Sequence, residues 1–238
     1  MGVVTTLQFI TLAVLARLLS PSDFGLMGMI TVVIGFAQAF ADMGLSNAII
    51  QRQRVEERHL SSFFWLNSFT GMILFGGIVC LRPLAVLYFK QPNLSQYLIL
   101  AAFIFLVTPV GQIFMTLLRK ELQFKTLAKV EIAGTTVYSV SAIGLALAKL
   151  GVLSLIFGQL ISSLCTVVIL FFIFRNTWLP QFHFNIKDIQ SYFRFGAFQM
   201  GERVLNYLYA NIDYIIIGRF LGSTELGFYT LAFQLMTV

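Results

Sequence analysis

Charge is what this sequence has least of. Lys, Arg, Asp and Glu together make up 11% of its 238 residues, against about a quarter in soluble domains. So few charges cannot clothe a water-exposed surface. Cysteine is nearly absent as well, with two residues. Cys80 and Cys165 both fall inside apolar runs and read as small hydrophobes, which sets aside a disulfide framework and a metal site. Proline is rare and mostly placed between runs, at Pro21, Pro92 and Pro180; Pro109 falls within a run and should kink it. The N-terminus has neither the basic start nor the small-residue cleavage pattern of a secretory signal. No Walker motif occurs, so the chain itself does not hydrolyse ATP. No cofactor motif is present.

What the chain has in abundance is apolar side chain: 58% hydrophobic residues, with 25 Phe. A water-soluble core of this length has no room for them, whereas a lipid-facing helix surface does. Apolar runs long enough to cross a bilayer, about 20 residues each, lie near 2–19, 24–49, 61–88, 95–118, 128–149, 151–174 and 195–220. An eighth begins near Leu226 and stops at Val238, short of a full crossing. The fold class expected is therefore all-α, a polytopic transmembrane helical bundle.

The net charge of +6 does not indicate nucleic acid, because the cations sit in short loops and form no basic face. Arg52, Arg54 and Arg58 follow the second run; Arg119, Lys120, Lys125 and Lys129 follow the fourth; Arg175, Lys187 and Arg194 follow the sixth. The intervening loops hold only Arg17, Arg82, Lys90, Lys149 and Arg219. The positive-inside rule places the richer loops, and the N-terminus with them, in the cytoplasm. Asn185-Ile-Lys-Asp188, with Ile186, Ile189 and Phe193 at helical spacing, suggests a short interfacial helix before the seventh crossing, with a plain loop as the alternative.

Two segments repeat. Arg17-Leu-Leu-Ser-Pro-Ser-Asp-Phe-Gly25 aligns without a gap on Arg219-Phe-Leu-Gly-Ser-Thr-Glu-Leu-Gly227, 202 positions later. Each copy ends one crossing, turns and opens the next. Six crossings separate them, an even number, so both have the same orientation. That is the pattern of parallel repeats about an axis along the membrane normal. The expected organisation is a first bundle over 1–175, a cytoplasmic interfacial linker over 176–194 and the start of a second bundle over 195–238. By the same repeat, the first helix is short at its start and a longer parent has about twelve crossings or more.

The runs LARLLSPSDFGLMGM, ADMGLSNAIIQR and FFWLN, with LLRKELQFKTLAKVE and NYLYANIDYIIIGRFLGSTELGFYTLAFQL, resemble the polysaccharide transporter (Wzx-like) flippases of the MOP exporter superfamily, closest to the colanic-acid and teichuronic-acid exporters. The resemblance implies two pseudo-symmetric six-helix bundles around a central cavity in the bacterial inner membrane. It implies ion-coupled alternating access that moves an undecaprenyl-diphosphate-linked oligosaccharide from the cytoplasmic to the periplasmic leaflet. The implied partners are that lipid-linked oligosaccharide, the phospholipid bilayer and other membrane proteins of polysaccharide assembly.

Polar groups inside a bilayer are costly and mark cavities or helix contacts. The second run carries Thr31, Gly35, Gln38, Asp42 and Ser46 in one stripe; the fifth carries Glu131, Thr135, Tyr138 and Ala142; the seventh carries Gln199, Glu202, Arg203, Asn206, Tyr209 and Asp213. The substrate-cavity candidates are Arg203, Gln199, Asn206 and Gln38. Arg203 is the cation furthest from any loop, and its planar fork suits a diphosphate or an acidic sugar. Ion pairing with Glu202, Asp213 or Asp42 is the competing role. The ion-coupling candidates are Asp42, Asp213, Glu202 and Glu131, of which Glu131 lies near Lys129 and reads as solvated. Gly35/Ala39 and Ala37/Ala41 are small-residue pairs suited to close helix contact.

Other readings compete. His183 and Asp188 have the H-x₄-D spacing of glycerolipid acyltransferases, but no soluble domain accompanies them and Asp188 already suits a helix start. The adjacent pair Glu56-Glu57 sits among arginines and reads as a solvated face, not as paired catalytic acids. An inactive fragment is the remaining alternative.

Overall fold

The computed structural model describes residues 2–41, 49–50 and 56–237, with backbone alone at 186–199 and 237. Every named element is a helix: α1 Gly2–Leu18, α2 Pro21–Ala41, α3 Glu57–Phe89, α4 Leu94–Ala102, α5 Ile104–Lys120, α6 Phe124–Leu147, α7 Val152–Phe174, α8 Ile186–Phe220 and α9 Gly222–Thr237. Their bounds follow the apolar runs and the turn residues between them. Five stretches are long and apolar enough to cross a membrane: α2, α3, α4 with α5, α6 and α7. The chain is a multi-pass membrane protein. α1 is apolar but has 17 residues, fewer than the usual crossing. α8 is long, but Glu202, Arg203, Asn206, Asn211 and Asp213 lower its hydropathy.

Large apolar side chains on the outside agree with lipid as the solvent. Leu87 is 74% exposed, Val140 69% and Phe69 62%, and apolar surface on this scale is not stable in water. Between helices, small and hydroxylated residues make the contacts. The Thr11 and Ser139 hydroxyls lie 2.6 Å apart between α1 and α6, and Ser162 on α7 donates to the Gly134 carbonyl of α6 at 2.7 Å. Such bonds join helices where lipid offers no partner.

Alternate turns gather at opposite ends. At one end Asp23 accepts from the Val152 backbone N–H at 3.1 Å and Arg219 donates to the carbonyls of Leu87 and Tyr88. The turns at 19–23, 87–90, 149–152 and 219–223 therefore share that end. At the other end the Trp65 indole donates to the Gln181 carbonyl at 2.9 Å, and the Asn185 backbone N–H donates to Ser62 at 3.2 Å.

The two copies of the repeated turn meet. A methyl group added at Gly25 would collide with the Ser223 carbonyl oxygen, and one added at Gly227 with the Pro21 carbonyl oxygen. The contact is reciprocal, since Pro21 and Ser223, like Gly25 and Gly227, are equivalent in the repeat. Gly28 faces its own equivalent, with Thr230 Oγ1 3.2 Å from the place of its missing methyl group. This is the signature of a two-fold relation between α2 and α9, and it puts both turns at one end of the bundle, as parallel repeats require.

Two expectations change in detail. The helix forecast from the capping sequence does begin at Ile186, but it runs without a break to Phe220 and is not a separate interfacial piece. At 35 residues α8 reaches roughly 52 Å, so it extends well past a hydrocarbon core of about 30 Å. The fourth crossing is interrupted at Phe103, between α4 and α5, and not at Pro109 itself. Pro109 cannot bond to the Phe105 carbonyl and its ring crowds the preceding turn, so the distortion appears on its N-terminal side. Pro83 also lies inside a helix, α3, which continues through it.

Candidate functional site

Polar side chains from most of the helices converge on neighbouring cavities inside the bundle. The largest, about 570 Å³, lies between α1, α2, α6, α7, α8 and α9 and is lined by Gln8, Thr31, Tyr138, Gln159, Asn211 and Gln234 among others. A second, about 420 Å³, is bounded by Gln8, Thr108, Gln112, Glu131, Thr135, Gln159 and the hydroxyls of α7. A third, about 310 Å³, lies between α2, α3, α5 and α8, where Gln38, Asn67, Thr108, Gln112 and Arg203 meet. A fourth, about 190 Å³, has Thr31, Gly35, Gln38 and Gln159 in its wall. Gln159 borders three of them, and Gln8, Thr31, Gln38, Thr108 and Gln112 border two each. The cavities thus share walls with uncharged hydrogen-bonding groups, and among the described residues Arg203 and Glu131 are the charged ones that line them. Groups that both donate and accept suit sugar hydroxyls.

The backbone explains why these side chains point inward. Pro109 leaves the Phe105 carbonyl without its helical donor, and Gly71 of α3 packs directly onto it: a methyl group there would strike that oxygen and lie 2.7 Å from Pro109 Cγ. The close approach of α3 to α5 holds Asn67, one turn away, against the third cavity. On α8 the fixing contact is Tyr207, whose hydroxyl donates to the Thr31 carbonyl at 2.9 Å, with the Val32 carbonyl at 3.2 Å. The ring occupies the notch left by Gly35.

That contact decides which face of α8 looks inward. Arg203, Tyr207, Asn211 and Tyr214 face the bundle. Glu202, Asn206 and Tyr209 stand exposed and border none of these cavities. Arg203 and Gln38 come together in the third cavity. Asp213 is bound by the Tyr229 hydroxyl of α9 and by the Tyr214 backbone N–H at 2.9 Å, so it joins the last two helices. Glu131 is exposed at the edge of the second cavity. Asp42 and Ser46 lie outside the described residues, as do the side chains of Gln199 and Asp188. Gly35 makes the close contact that small-residue pairs favour, though its partner is Tyr207.

Gln8, Asn67, Gln112 and Gln159 lie outside the polar stripes of the second, fifth and seventh runs. A signal existed for two of them. Gln159 heads a stripe with Ser162, Ser163 and Thr166, and Gln112 stands four residues from both Thr108 and Thr116. Glu56 pairs with Arg58 at 3.8 Å with both side chains exposed, as a solvated face would. Among the described residues no group of three His, Cys, Asp or Glu side chains converges.

Comparison with known proteins agrees with this architecture. The chain is 36% identical to the teichuronic acid biosynthesis protein TuaB of Bacillus subtilis over 236 residues, covering 99% of this chain and 49% of that protein. It is 30% identical to the lipopolysaccharide biosynthesis protein WzxC of Escherichia coli over 240 residues, 99% of this chain and 48% of that protein. It is 28% identical to the succinoglycan biosynthesis transport protein ExoT of Rhizobium meliloti over 227 residues, 95% of this chain and 45% of that protein. The chain spans about half the length of the curated relatives it matches. No solved structure matches it. Residues 14–238 match the family described as polysaccharide biosynthesis protein, and the chain belongs to that family.

Proposed function

We propose that this chain forms part of a flippase that moves undecaprenyl-diphosphate-linked oligosaccharide repeat units across the bacterial cytoplasmic membrane for envelope polysaccharide synthesis. The observation that carries this reading is the run of adjoining polar cavities inside a lipid-facing bundle, with Arg203 in the wall of one. A sugar crossing the bilayer must exchange its water for protein hydrogen bonds, and carboxamides and hydroxyls supply them. The anionic diphosphate or an acidic sugar needs a cation on its path, and Arg203 offers a planar fork for it. Relatives named for polysaccharide biosynthesis, one of them for transport, support the same reading and favour transport over catalysis.

In this proposal the cation-rich loops and the N-terminus face the cytoplasm, and the Gly25–Gly227 contact closes the periplasmic end. Residues 1–175 form the first bundle, 176–194 the linker and 195–238 the start of the second bundle. Transport is ion-coupled, with Asp42 and Glu131 as carboxylates for a proton or sodium ion; Asp213, held by Tyr229, instead fixes α8 to α9. Depletion of the protein carrying this chain tests the reading. Lipid-linked repeat units should then accumulate where an impermeant glycosidase added outside the membrane cannot reach them. Repeat units that still become accessible at the normal rate would refute it.

A further inference from the structure

The turn that joins α5 to α6 departs from what its geometry favours. The Gln123 backbone N–H donates to the Leu118 carbonyl at 2.9 Å, and the Leu122 N–H to the Arg119 carbonyl at 3.2 Å. This pair of bonds ends a helix through one left-handed residue, usually glycine. Here that residue is Leu122, at φ 55°, and a side chain in this conformation is strained. The same pair of bonds closes α6, from Leu150 to Leu145 and from Lys149 to Ala146. There the left-handed residue is Lys149, whose ammonium suits the carbonyl end of a helix. A leucine has no such use. Nor is it packed, for Leu122 is 69% exposed and Phe124 61%.

The surroundings of the turn are cationic. Residues 119–129 hold four cations, Arg119, Lys120, Lys125 and Lys129, against one acid, Glu121, whose carboxylate accepts from the Gln123 carboxamide at 2.7 Å. Arg119, Lys125 and Lys129 are exposed. Among the described residues none of the three meets a carboxylate within salt-bridge distance. Lys125 and Lys129 stand four residues apart on α6 and share a face. The segments on either side, Leu94–Lys120 and Phe124–Leu147, are each long and apolar enough to cross, which puts the turn at the membrane surface. None of these side chains lines the four cavities described above.

We propose that this turn binds one anionic glycerophospholipid of the surrounding leaflet. Leu122 and Phe124 lie among the upper acyl carbons, and Lys125, Lys129 and Arg119 hold the phosphodiester. Lysine stems lie along apolar surface while their ammonium groups stay among the headgroups, and cations beside a crossing attract anionic lipid. A zwitterionic headgroup brings its own cation and gains less from them. A soluble acidic partner would match the charges but leave the leucine and the phenylalanine in water. Burial in lipid offsets the strained backbone of Leu122, which no packing inside the bundle repays. The proposal does not rest on the transport reading.

The test reads lipid at the turn itself. A bimane on Gln123→Cys, in a Cys80→Ser, Cys165→Ser background, is placed in phosphatidylcholine vesicles that contain brominated phosphatidylglycerol or, in the parallel sample, brominated phosphatidylcholine. At equal fractions the phosphatidylglycerol should quench as if bound about five-fold more tightly, the scale of one cation at an anionic surface. Lys125→Gln with Lys129→Gln should remove that preference, whereas Lys90→Gln, at the other end of the bundle, should keep it. Leu122→Gly should weaken quenching by both lipids. In detergent without phospholipid the same variant should raise the unfolding midpoint by about 2–4 °C, since glycine relaxes the left-handed turn. Equal quenching by the two lipids would overturn the proposal, as would a preference that survives the loss of both lysines. A midpoint lowered by Leu122→Gly in detergent would show that protein contacts hold the leucine and would refute the apolar part of the anchor.

Discussion

Gly25 packs against the Ser223 carbonyl and Gly227 against the Pro21 carbonyl, each in the turn that precedes the other glycine, so that neither has room for a methyl group. The two glycines are equivalent positions of one repeated sequence, and their contact joins the two copies of that repeat. Only backbones without side chains can approach this closely, which is how small residues drive helix contacts in membranes. Gly25→Ala and Gly227→Ala should each destabilise the chain by about 1–3 kcal/mol through overpacking. Gly76, in α3, has open space where its methyl group would lie, so Gly76→Ala should stabilise by up to about 1 kcal/mol through helix propensity. Thermal unfolding in detergent compares the three. Equal effects at Gly25 and Gly76 would refute the close contact.

Tyr207 in the Gly35 notch ties α8 to α2. Tyr207→Phe removes the donor to the Thr31 carbonyl and should cost about 1 kcal/mol. Gly35→Ala should cost more, because its methyl group would meet the tyrosine ring. In a Tyr207→Ala background that extra cost should disappear. A double-mutant cycle of unfolding free energies measures it, and simple additivity would show that the notch is unoccupied.

Asp23 serves two helices. One carboxylate oxygen accepts from Val152 N–H at the start of α7, and the other accepts from the Ser20 hydroxyl at 2.6 Å and the Ser20 backbone N–H at 3.0 Å. Asp23→Ala should cost about 1–2 kcal/mol, the upper range for a lost cap. Asp23→Asn retains an acceptor and should cost less. Hydrogen exchange of the Val152 amide is the local readout; unchanged protection in Asp23→Ala would show that the bond is not formed.

The proposed sidedness, read from the cation asymmetry between alternate loops, is one that labelling can check. A cysteine placed at Gln53 should react with an impermeant maleimide only after the cytoplasmic face is opened, and one at Gln91 should react from outside in intact cells. Labelling of the Gln53 position from outside would invert the orientation and, with it, the direction assigned to transport.

The sequence carried five of the seven expected crossings because lipid demands about 20 apolar residues in a row and because Pro21 begins α2 and Pro92 falls between α3 and α4. It carried the repeat, and the reciprocal Gly25–Gly227 contact gives that repeat a structural meaning. The inward face of α8 was less legible. Positions three and four residues from Arg203 are equally good neighbours on a helix, and the choice of Tyr207 over Asn206 depends on a notch in α2, far away in the chain. Asn67 was harder still. An amide in an apolar run marks some contact or cavity, but which one depends on the packing of α3 on α5 at Gly71 and Phe105, which no local pattern records.

Arg203 carries the central claim. Its place beside Gln38, Asn67 and Gln112 makes it the cation for the anionic part of the substrate in the proposed path. The direct measurement is the rate of polysaccharide export in a host that depends on the protein carrying this chain, with membrane insertion of each variant verified. Arg203→Ala removes both charge and fork and should slow export at least ten-fold, the scale of one lost charge-assisted contact. Arg203→Lys keeps the charge without the planar geometry and should retain part of the rate. An Arg203→Ala protein that inserts normally and exports at the native rate would make Arg203 a packing residue and contradict the account.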